Sequence, residues 1–255
     1  MPRYFIEVGY EGTTFCGFQI QDGQETVQSV VTSALDMVLK EPCSLTGSSR
    51  TDSGVHARQN FFHFDTEQVL TGKHIYSLNS ILPPTVVVHA VYAVAAEAHA
   101  RFDALARTYT YTVTTKKDPF LIDKAWHFPF PVPLETLQAM ALELPKYQDF
   151  EAFSKKNAGN KTNICTIELS SWQAVSPSSF IYTVRANRFL RGMVRGLVGT
   201  MLKIARQSAT TKEAVEAFKA VIVSKDPSLC DFSTPAKGLV LETVAYPAST
   251  LQQPI

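Results

Sequence analysis

Hydrophobic residues recur along the chain at two spacings, every second residue and every third or fourth residue, and these spacings predict alternating strands and helices. In the first part of the chain they predict a strand at 4–10, a helix at 26–40, strands at 43–46 and 59–64, a helix at 67–79 and a strand at 85–94. Pro42 is expected to end the first helix. The order strand, helix, strand, strand, helix, strand is typical of the split βαβ, or ferredoxin-like, unit.

The rest of the chain nearly repeats this order. It predicts a strand at 107–115, a helix at 134–144, strands at 163–175 and 180–186, helices at 189–206 and 211–223, and a strand at 239–246. We therefore predict an α+β protein with two tandem ferredoxin-like halves, residues 1–100 and 101–255. Their strands are expected to form one extended, mainly antiparallel sheet with a cleft between the halves. The polar segment 152–162 is expected to be a mobile loop.

Composition excludes several classes of protein. A chain of 255 residues that is 45% hydrophobic can bury a real core, and only 18% charged residues with a net charge of +1 argue against disorder and against a generally basic nucleic-acid binder. The four cysteines form no C-x-x-C pair, so they read as reduced thiols. No stretch approaches the roughly 20 apolar residues of a membrane span. We therefore expect a soluble, cytoplasmic protein.

The charge is unevenly distributed along the chain. Residues 1–100 carry five Lys/Arg against ten Asp/Glu, whereas residues 101–255 carry nineteen against thirteen. Residues 185–206 contain no acidic residue and six basic ones, namely Arg185, Arg188, Arg191, Arg195, Lys203 and Arg206. This pattern suits a phosphate-facing surface, although the solvated face of an amphipathic helix explains it equally well.

Three glycines interrupt the same helical pattern, at Gly192, Gly196 and Gly199. A glycine inside a helix costs about 1 kcal/mol relative to alanine. Their presence predicts the close approach of a neighbouring backbone or of RNA.

The segment GSSRTDSGVHA at 47–57 is too polar for a core and contains one carboxylate, Asp52. The Arg50 guanidinium can donate paired hydrogen bonds to a carboxylate there or nearby, and Gly54 permits a tight backbone turn. An ordinary surface turn with an ion pair is the alternative interpretation. His56 follows Asp52 by four residues, but no further ligands at metal-like spacing accompany the two, so a metal site is not predicted.

Six blocks of sequence, in order, resemble the TruA family of tRNA pseudouridine synthases. They are EVGYEGTTFCGFQIQ at 7–21, TVQ at 26–28, GSSRTDSGVHA at 47–57, HARFDALARTYTYTV at 99–113, NRFLRGMVRGLVGTML at 187–202 and KGLVLETVAY at 237–246. The departures are mild: Phe18 stands where the family commonly has Trp, Ile20 replaces a residue that is often basic, and Ser48, Ser49 and Ser53 replace Ala or Gly. They affect RNA contacts rather than the chemistry.

The resemblance implies a homodimer without metal or cofactor that isomerises uridine to pseudouridine in the anticodon arm of tRNA, at positions 38, 39 and 40. It implies that Asp52 is the catalytic aspartate, that Tyr109 stacks on the target base and that Arg195 pairs with the catalytic carboxylate. On an alternating strand a tyrosine such as Tyr109 or Tyr111 more often packs, and only the resemblance selects Tyr109. The other expected substrate-binding residues are Arg50 and Leu239 at the walls of the site, and the basic residues Arg58, Arg188, Arg191, Lys155 and Lys156.

The reaction needs these residue types. Breaking the bond between N1 and C1′ builds positive charge on the ribose, which an ionised Asp52 can stabilise, trap covalently or relieve by taking a ribose proton. Two other classes remain as alternatives. A non-catalytic tandem RNA-binding module would carry aromatic RNP motifs, and RQNFFHF at 58–64 lacks that pattern. A nucleoside hydrolase or glycosylase usually has a second catalytic carboxylate.

Overall fold

The computed structural model describes residues 1–155, 159 and 161–255 of the chain. Two compact units are present: Met1–Arg107 with Val240–Ile255, and Thr108–Leu239. The predicted halves were divided once, near residue 100, whereas the observed first unit also includes the C-terminal segment. The physical reason is strand pairing, because Val240 and Leu241 pair in parallel with His56 and Ala57.

The first unit has the predicted order of elements. They are β1 (Arg3–Tyr10), α1 (Val27–Leu39), β2 (Thr46–Gly47), β3 (His56–Asp65), α2 (Gly72–Ile81) and β4 (Val86–Val94). Strand β1 lies between β4 and β3 and is antiparallel to both, and the short β2 is antiparallel to β3. The arrangement is that expected of a split βαβ unit.

Local capping sets the limits of the two helices in this unit. Thr26 precedes α1 and its side chain accepts a hydrogen bond from the Ser29 N–H, and the helix ends as Lys40 adopts a left-handed conformation. The second helix begins five residues later than predicted. There the Thr71 N–H donates to His74 Nδ1 at 3.0 Å, which fixes the start of α2 at Gly72.

The second unit contains three helices and most of the remaining strands. Strand β5 (Ala106–Thr114) lies mainly in this unit, whereas β9 (Leu239–Ala245) lies mainly in the first unit. Between them along the chain are β6 (Trp126–His127), α3 (Leu134–Ala141), β7 (Ile167–Ser176), β8 (Ser179–Ala186), α4 (Met193–Gln207) and α5 (Thr211–Ser224). Strands β7 and β8 form an antiparallel hairpin, and β8 is the neighbour of β5. The mixed α and β class with mostly antiparallel strands is confirmed.

Three details of the second unit differ from the sequence prediction. Strand β6, which pairs in parallel with the end of β5, has only two residues and no detectable periodicity. Helix α4 begins at Met193 because Gly192 before it has a φ of +76°. The predicted mobile loop begins with core residues, since Ala152 and Phe153 are fully buried in a short turn. Part of that predicted loop, 156–158 and 160, lies outside the described residues.

Within the described ranges, the helices are all too short or too polar to cross a bilayer.

A buried histidine lies in the core of the first unit. His63 on β3 is 7% exposed, accepts a hydrogen bond from the Ala100 N–H at Nδ1 (3.1 Å) and packs against the rings of Phe5 and His99. Burial lowers the pKa of His63 to about 4, and the nearby His99 and Arg3 act in the same direction. The neutral form of this ring is therefore part of the fold.

We expect the unfolding free energy to fall as the pH is lowered from about 6.5 towards 4. In that window the unfolded chain protonates His63 and most of the folded chain does not, so acid favours unfolding by about 3 kcal/mol at the lower limit. Above pH 6.5 this contribution is constant. Urea unfolding at a series of pH values measures it, as the difference between the native chain and His63→Gln. Parallel pH profiles for the two would contradict the assignment.

Candidate active site

The Asp52 loop joins β2 to β3 and turns at Gly54. Gly54 has a φ of +77°, as the sequence predicted, and the Val55 N–H donates to the Asp52 carbonyl at 3.1 Å. Asp52 is half-buried. Arg50 is exposed.

Buried hydrogen bonds fix the part of the loop that precedes Asp52. The Asn60 side chain on β3 is fully buried; its Oδ1 accepts from Ser48 Oγ at 2.7 Å, and its Nδ2 donates to the Ser49 carbonyl and to the Tyr10 hydroxyl, both at 3.1 Å. The Tyr10 hydroxyl is in turn bonded to Thr51 Oγ1 at 2.8 Å. The loop is thus anchored to β1 and β3 at Ser48, Ser49 and Thr51. Sequence analysis missed Asn60 and Tyr10 as residues that support the site. The one feature of the sequence that could have indicated them is the amide Asn60 among the aromatic residues of β3.

A second segment, at 15–18, holds the loop from another side. The Phe18 N–H donates to the Thr51 carbonyl at 3.1 Å, and Ser53 Oγ donates to the Phe15 carbonyl at 3.1 Å. Gly17, with a φ of +89°, lies so close that an added Cβ would be 3.2 Å from the Thr51 oxygen and 3.3 Å from the Ser53 nitrogen. The backbone on both sides of Asp52 is therefore tied to this segment.

The ring of Phe18 is a core residue beneath the loop. It is 2% exposed and stacks on Phe62 with the ring centroids 4.5 Å apart. The ring fills the space in which Gly47 would carry a Cβ. The departure from the family pattern at Phe18 is therefore a change in packing below the loop, whereas Ile20, another departure, is exposed.

His56, where the loop enters β3, is held by the residues that follow β1. Its Nδ1 lies 3.0 Å from the Gly12 N–H and 3.2 Å from Glu11 Oε1. Ordinary hydrogen bonding thus accounts for this histidine. In the part of the chain that the structure describes, no three His, Cys, Asp or Glu side chains are grouped as metal ligands would be.

Tyr109 and Tyr111 lie on the same face of β5 but differ in their surroundings. Tyr111 is fully buried, its hydroxyl donates to the Pro235 carbonyl at 2.7 Å, and burial raises its pKa. Tyr109 is 9% exposed, and its ring contacts Phe189 edge-to-face with the centroids 5.1 Å apart. Tyr111 is a packing residue, and Tyr109 is the tyrosine of the pair that retains some access.

Arg195, in the first turn of α4, is oriented by the chain that leads to β9. Its Nε donates to the Thr234 carbonyl at 2.7 Å, next to the Pro235 carbonyl that Tyr111 holds. Side chains from α4 and β5 thus fix two adjacent residues shortly before Leu239, which is itself buried. The guanidinium of Arg195 has a defined direction, as a residue that orients a carboxylate requires.

The glycines of the α4 region have separate uses. Gly192 lies outside the helix, in the left-handed conformation. A Cβ on Gly196 would be 2.9 Å from the ring of Phe232, and one on Gly199 would overlap Thr234. The chain from Phe232 to Thr234 therefore packs directly on the helix backbone. Of the two predicted reasons for the glycines, the close approach of a neighbouring backbone is found at Gly199, where a Cβ would lie 2.5 Å from the Asp231 carbonyl oxygen, whereas the space at Gly196 is filled by side chains.

Several of the predicted RNA-binding residues lie together at the start of α4. Lys155 donates its backbone N–H to the Arg191 carbonyl at 3.1 Å, and its aliphatic stem lies against Gly192. Arg191 is exposed and Arg188 is half-buried. Lys156 lies outside the described residues. We refer to Lys155, Arg188 and Arg191 as the basic cluster.

Other basic residues have partners of their own. Arg185 pairs with Glu168 at 2.6 Å, and the Arg206 guanidinium lies 3.6 Å from the ring centroid of Phe130. Arg58 pairs with Glu242 at 3.0 Å while remaining 77% exposed. An exposed ion pair of this kind contributes little to stability, about 0 to 1 kcal/mol, so it does not prevent Arg58 from meeting a phosphate.

The predicted site residues are divided between the two units. Arg50, Asp52 and Arg58 belong to the first, and Tyr109, Lys155, Arg188, Arg191, Arg195 and Leu239 belong to the second. The first unit supplies a partly exposed carboxylate on a loop held from two sides. The second supplies a tyrosine and an oriented arginine near a basic cluster. This combination is typical of an enzyme that acts on a nucleic acid.

Comparison with known proteins defines the class more closely. A family model described as tRNA pseudouridine synthase matches residues 147–247. A tRNA pseudouridine synthase A from Parabacteroides distasonis is 40% identical over 250 residues, covering 97% of this chain and 97% of that protein. The enzyme of the same name from Bacteroides thetaiotaomicron is 41% identical over 97% of this chain and 91% of its own length, and that from Brevibacillus brevis is 33% identical over 96% and 100%.

These matches place the chain among the pseudouridine synthases that act on tRNA. The chain belongs to the tRNA pseudouridine synthase A family. The resemblance identified from the six sequence blocks is thereby confirmed over nearly the full length.

We expect Gly17→Ala to reduce both stability and activity, and Gly23→Ala to reduce stability only. Both glycines have a positive φ, +89° and +70°, which costs an alanine about 1 to 2 kcal/mol. Only at Gly17 does the new methyl group meet the Asp52 loop, since nothing lies within 4 Å of a Cβ on Gly23. Thermal unfolding and turnover on tRNA measure the two effects. Equal turnover by the two variants would show that the loop accommodates the methyl group.

Proposed function

We propose that this protein converts uridine to pseudouridine in the anticodon arm of tRNA, at positions 38, 39 and 40. The observation that carries the proposal is the Asp52 loop: the family motif is present, and its carboxylate is half-buried on a backbone that β1, β3 and the segment at 15–18 all hold. Full-length similarity to enzymes named tRNA pseudouridine synthase A supports the same reaction. We further propose a cytoplasmic homodimer that uses no cofactor.

Asp52 is the residue that acts at the ribose. The bond between N1 and C1′ breaks, the uracil turns while bound, and a bond from C5 to C1′ forms. C5 then loses its proton to water, and N1 takes up a proton. Positive charge develops at C1′ as the first bond breaks, and an anionic carboxylate stabilises it. An arginine partner favours the ionised carboxylate, and we assign this role to Arg195, whose guanidinium is already oriented by Thr234.

Tyr109 is the residue that receives the base. A uridine in a stem-loop must leave its stack, at a cost of a few kcal/mol, before a protein side chain can reach it. Stacking of the flipped base on an aromatic ring contributes about 1 to 3 kcal/mol per base to binding, which offsets part of this cost. The contact of Tyr109 with Phe189 fixes the plane of its ring in advance. Arg50 and Leu239 are assigned to the walls of the same site.

We expect a tRNA transcript labelled with tritium at uridine C5 to release its label to water when the protein is added. Asp52→Asn keeps the shape of the side chain and removes its charge, so release should slow by at least about 10³-fold while tRNA binding persists. Asp22→Asn, which changes an exposed carboxylate of the same unit, is the matched control and should release label at the native rate. Normal release by Asp52→Asn would refute the assignment of the catalytic residue.

The same assay distinguishes the alternative classes. A glycosylase would liberate free uracil, which chromatography of the supernatant detects, whereas an isomerase retains the base in the RNA. A non-catalytic binding module would give neither free uracil nor released tritium. Mapping of the modified positions then tests the assignment to 38, 39 and 40.

The basic cluster is expected to contact phosphates of the tRNA. Arg188→Ala combined with Arg191→Ala should weaken binding and reduce the steepness of log K against log salt concentration by about 1 to 2. The reason is that binding with fewer phosphate contacts releases fewer counterions. Lys212→Ala on α5, another exposed cation of the same unit, serves as the control and should leave the slope unchanged. Filter binding over a range of salt concentrations measures it. An unaltered slope in the double variant would remove the cluster from the RNA surface.

A further inference from the structure

The hydroxyl group of Tyr10 is buried beneath the loop that carries the catalytic aspartate. Tyr10 is the last residue of β1 and is 5% exposed. Its hydroxyl accepts a hydrogen bond from Asn60 Nδ2 at 3.1 Å and bonds to Thr51 Oγ1 at 2.8 Å. Thr51 is 7% exposed and is the residue immediately before Asp52.

The path from Asn60 through Tyr10 to Thr51 connects the sheet to the loop through side chains alone. Asn60 is fully buried, and the described contacts use both hydrogens of its amide and both lone pairs of its oxygen: they go to Tyr10, to the Ser49 carbonyl, to Ser48 Oγ and to the Phe61 N–H. The amide therefore has a single orientation, which sets the position of the Tyr10 hydroxyl. The Tyr10 hydroxyl in turn sets the rotamer of Thr51.

The backbone of Thr51 is held from the opposite direction. Its carbonyl accepts the Phe18 N–H at 3.1 Å, and the turn that follows is closed by the Val55 N–H on the Asp52 carbonyl. With the side chain and the carbonyl of Thr51 both bonded, little freedom remains at the Cα of Asp52. Displacement of a reacting group by about 1 Å can cost a factor of about 10² in rate.

We infer that Tyr10 and Thr51 are positioning residues for Asp52, acting through the hydrogen bond between their hydroxyl groups. The inference rests on the proposed function, since it assumes that Asp52 acts at the ribose. Neither residue is assigned contact with the RNA. Loss of the hydroxyl–hydroxyl bond should therefore lower kcat and leave both KM and tRNA affinity nearly unchanged.

The test compares variants that differ by one oxygen or one methyl group. Tyr10→Phe and Thr51→Val each remove one side of the bond and should lower kcat about 10- to 100-fold with KM within about twofold of the native value. Because they remove the same bond, the double variant should be little worse than either single one. Thr51→Ser keeps the hydroxyl and should restore most of the rate.

A matched control lies on the same strand. Tyr4 is also 5% exposed on β1, and its hydroxyl donates to the Gln68 carbonyl at 3.2 Å, away from the Asp52 loop. Tyr4→Phe should lower the melting temperature about as much as Tyr10→Phe and leave kcat unchanged. If the role of Tyr10 is merely structural, the two tyrosine variants will resemble each other in both measurements.

The outcomes separate the inference from the proposed function. Absence of tritium release by the native chain overturns the proposed function, and the inference with it. Release by the native chain together with native kcat in Tyr10→Phe overturns the inference alone. If Tyr10→Phe does not fold, the pair Thr51→Val and Thr51→Ser decides, and equal rates for these two would likewise overturn it.

Discussion

The fully buried amide of Asn60 is the interaction on which the rest of the site depends. A polar group in a strand of aromatic residues is costly to bury unless its hydrogen-bonding groups are satisfied. Here the loop and the Tyr10 hydroxyl provide these partners, so the buried amide ties the loop to the sheet. The chemistry proposed for Asp52 needs a carboxylate that stays in place while a base turns, and a loop bonded to two strands meets that need better than a free one.

The second unit achieves a similar rigidity by a different means. Helix α4 has no side chains at Gly196 and Gly199, and residues 230–234 pack into the space that this leaves. The Thr234 carbonyl then orients Arg195, and the cost of glycine in a helix is offset by the packing it permits. In both units the residue proposed to act is set by a neighbour that does no chemistry.

Much of the fold follows from local periodicity. The spacing of apolar residues predicted every helix of eight or more residues in the described ranges, and it predicted the order of strands in the first unit. It could do so because a strand buries one face and a helix buries one stripe. Elements without periodicity were missed or misplaced. Strand β6 has two residues, and the start of α2 depends on a contact between Thr71 and His74 rather than on apolar spacing.

The sequence by itself determined the family, through six ordered blocks, and with it the motif that carries Asp52; Gly54 also followed, since only a residue without a Cβ turns there easily. Only the tertiary structure decided that the C-terminal segment joins the first unit and that Tyr10 and Asn60 support the loop. The physical reason is that strand pairing and buried hydrogen bonds join residues far apart in the chain. Local spacing records which face of an element is buried, and it carries no information about the distant partner that buries it.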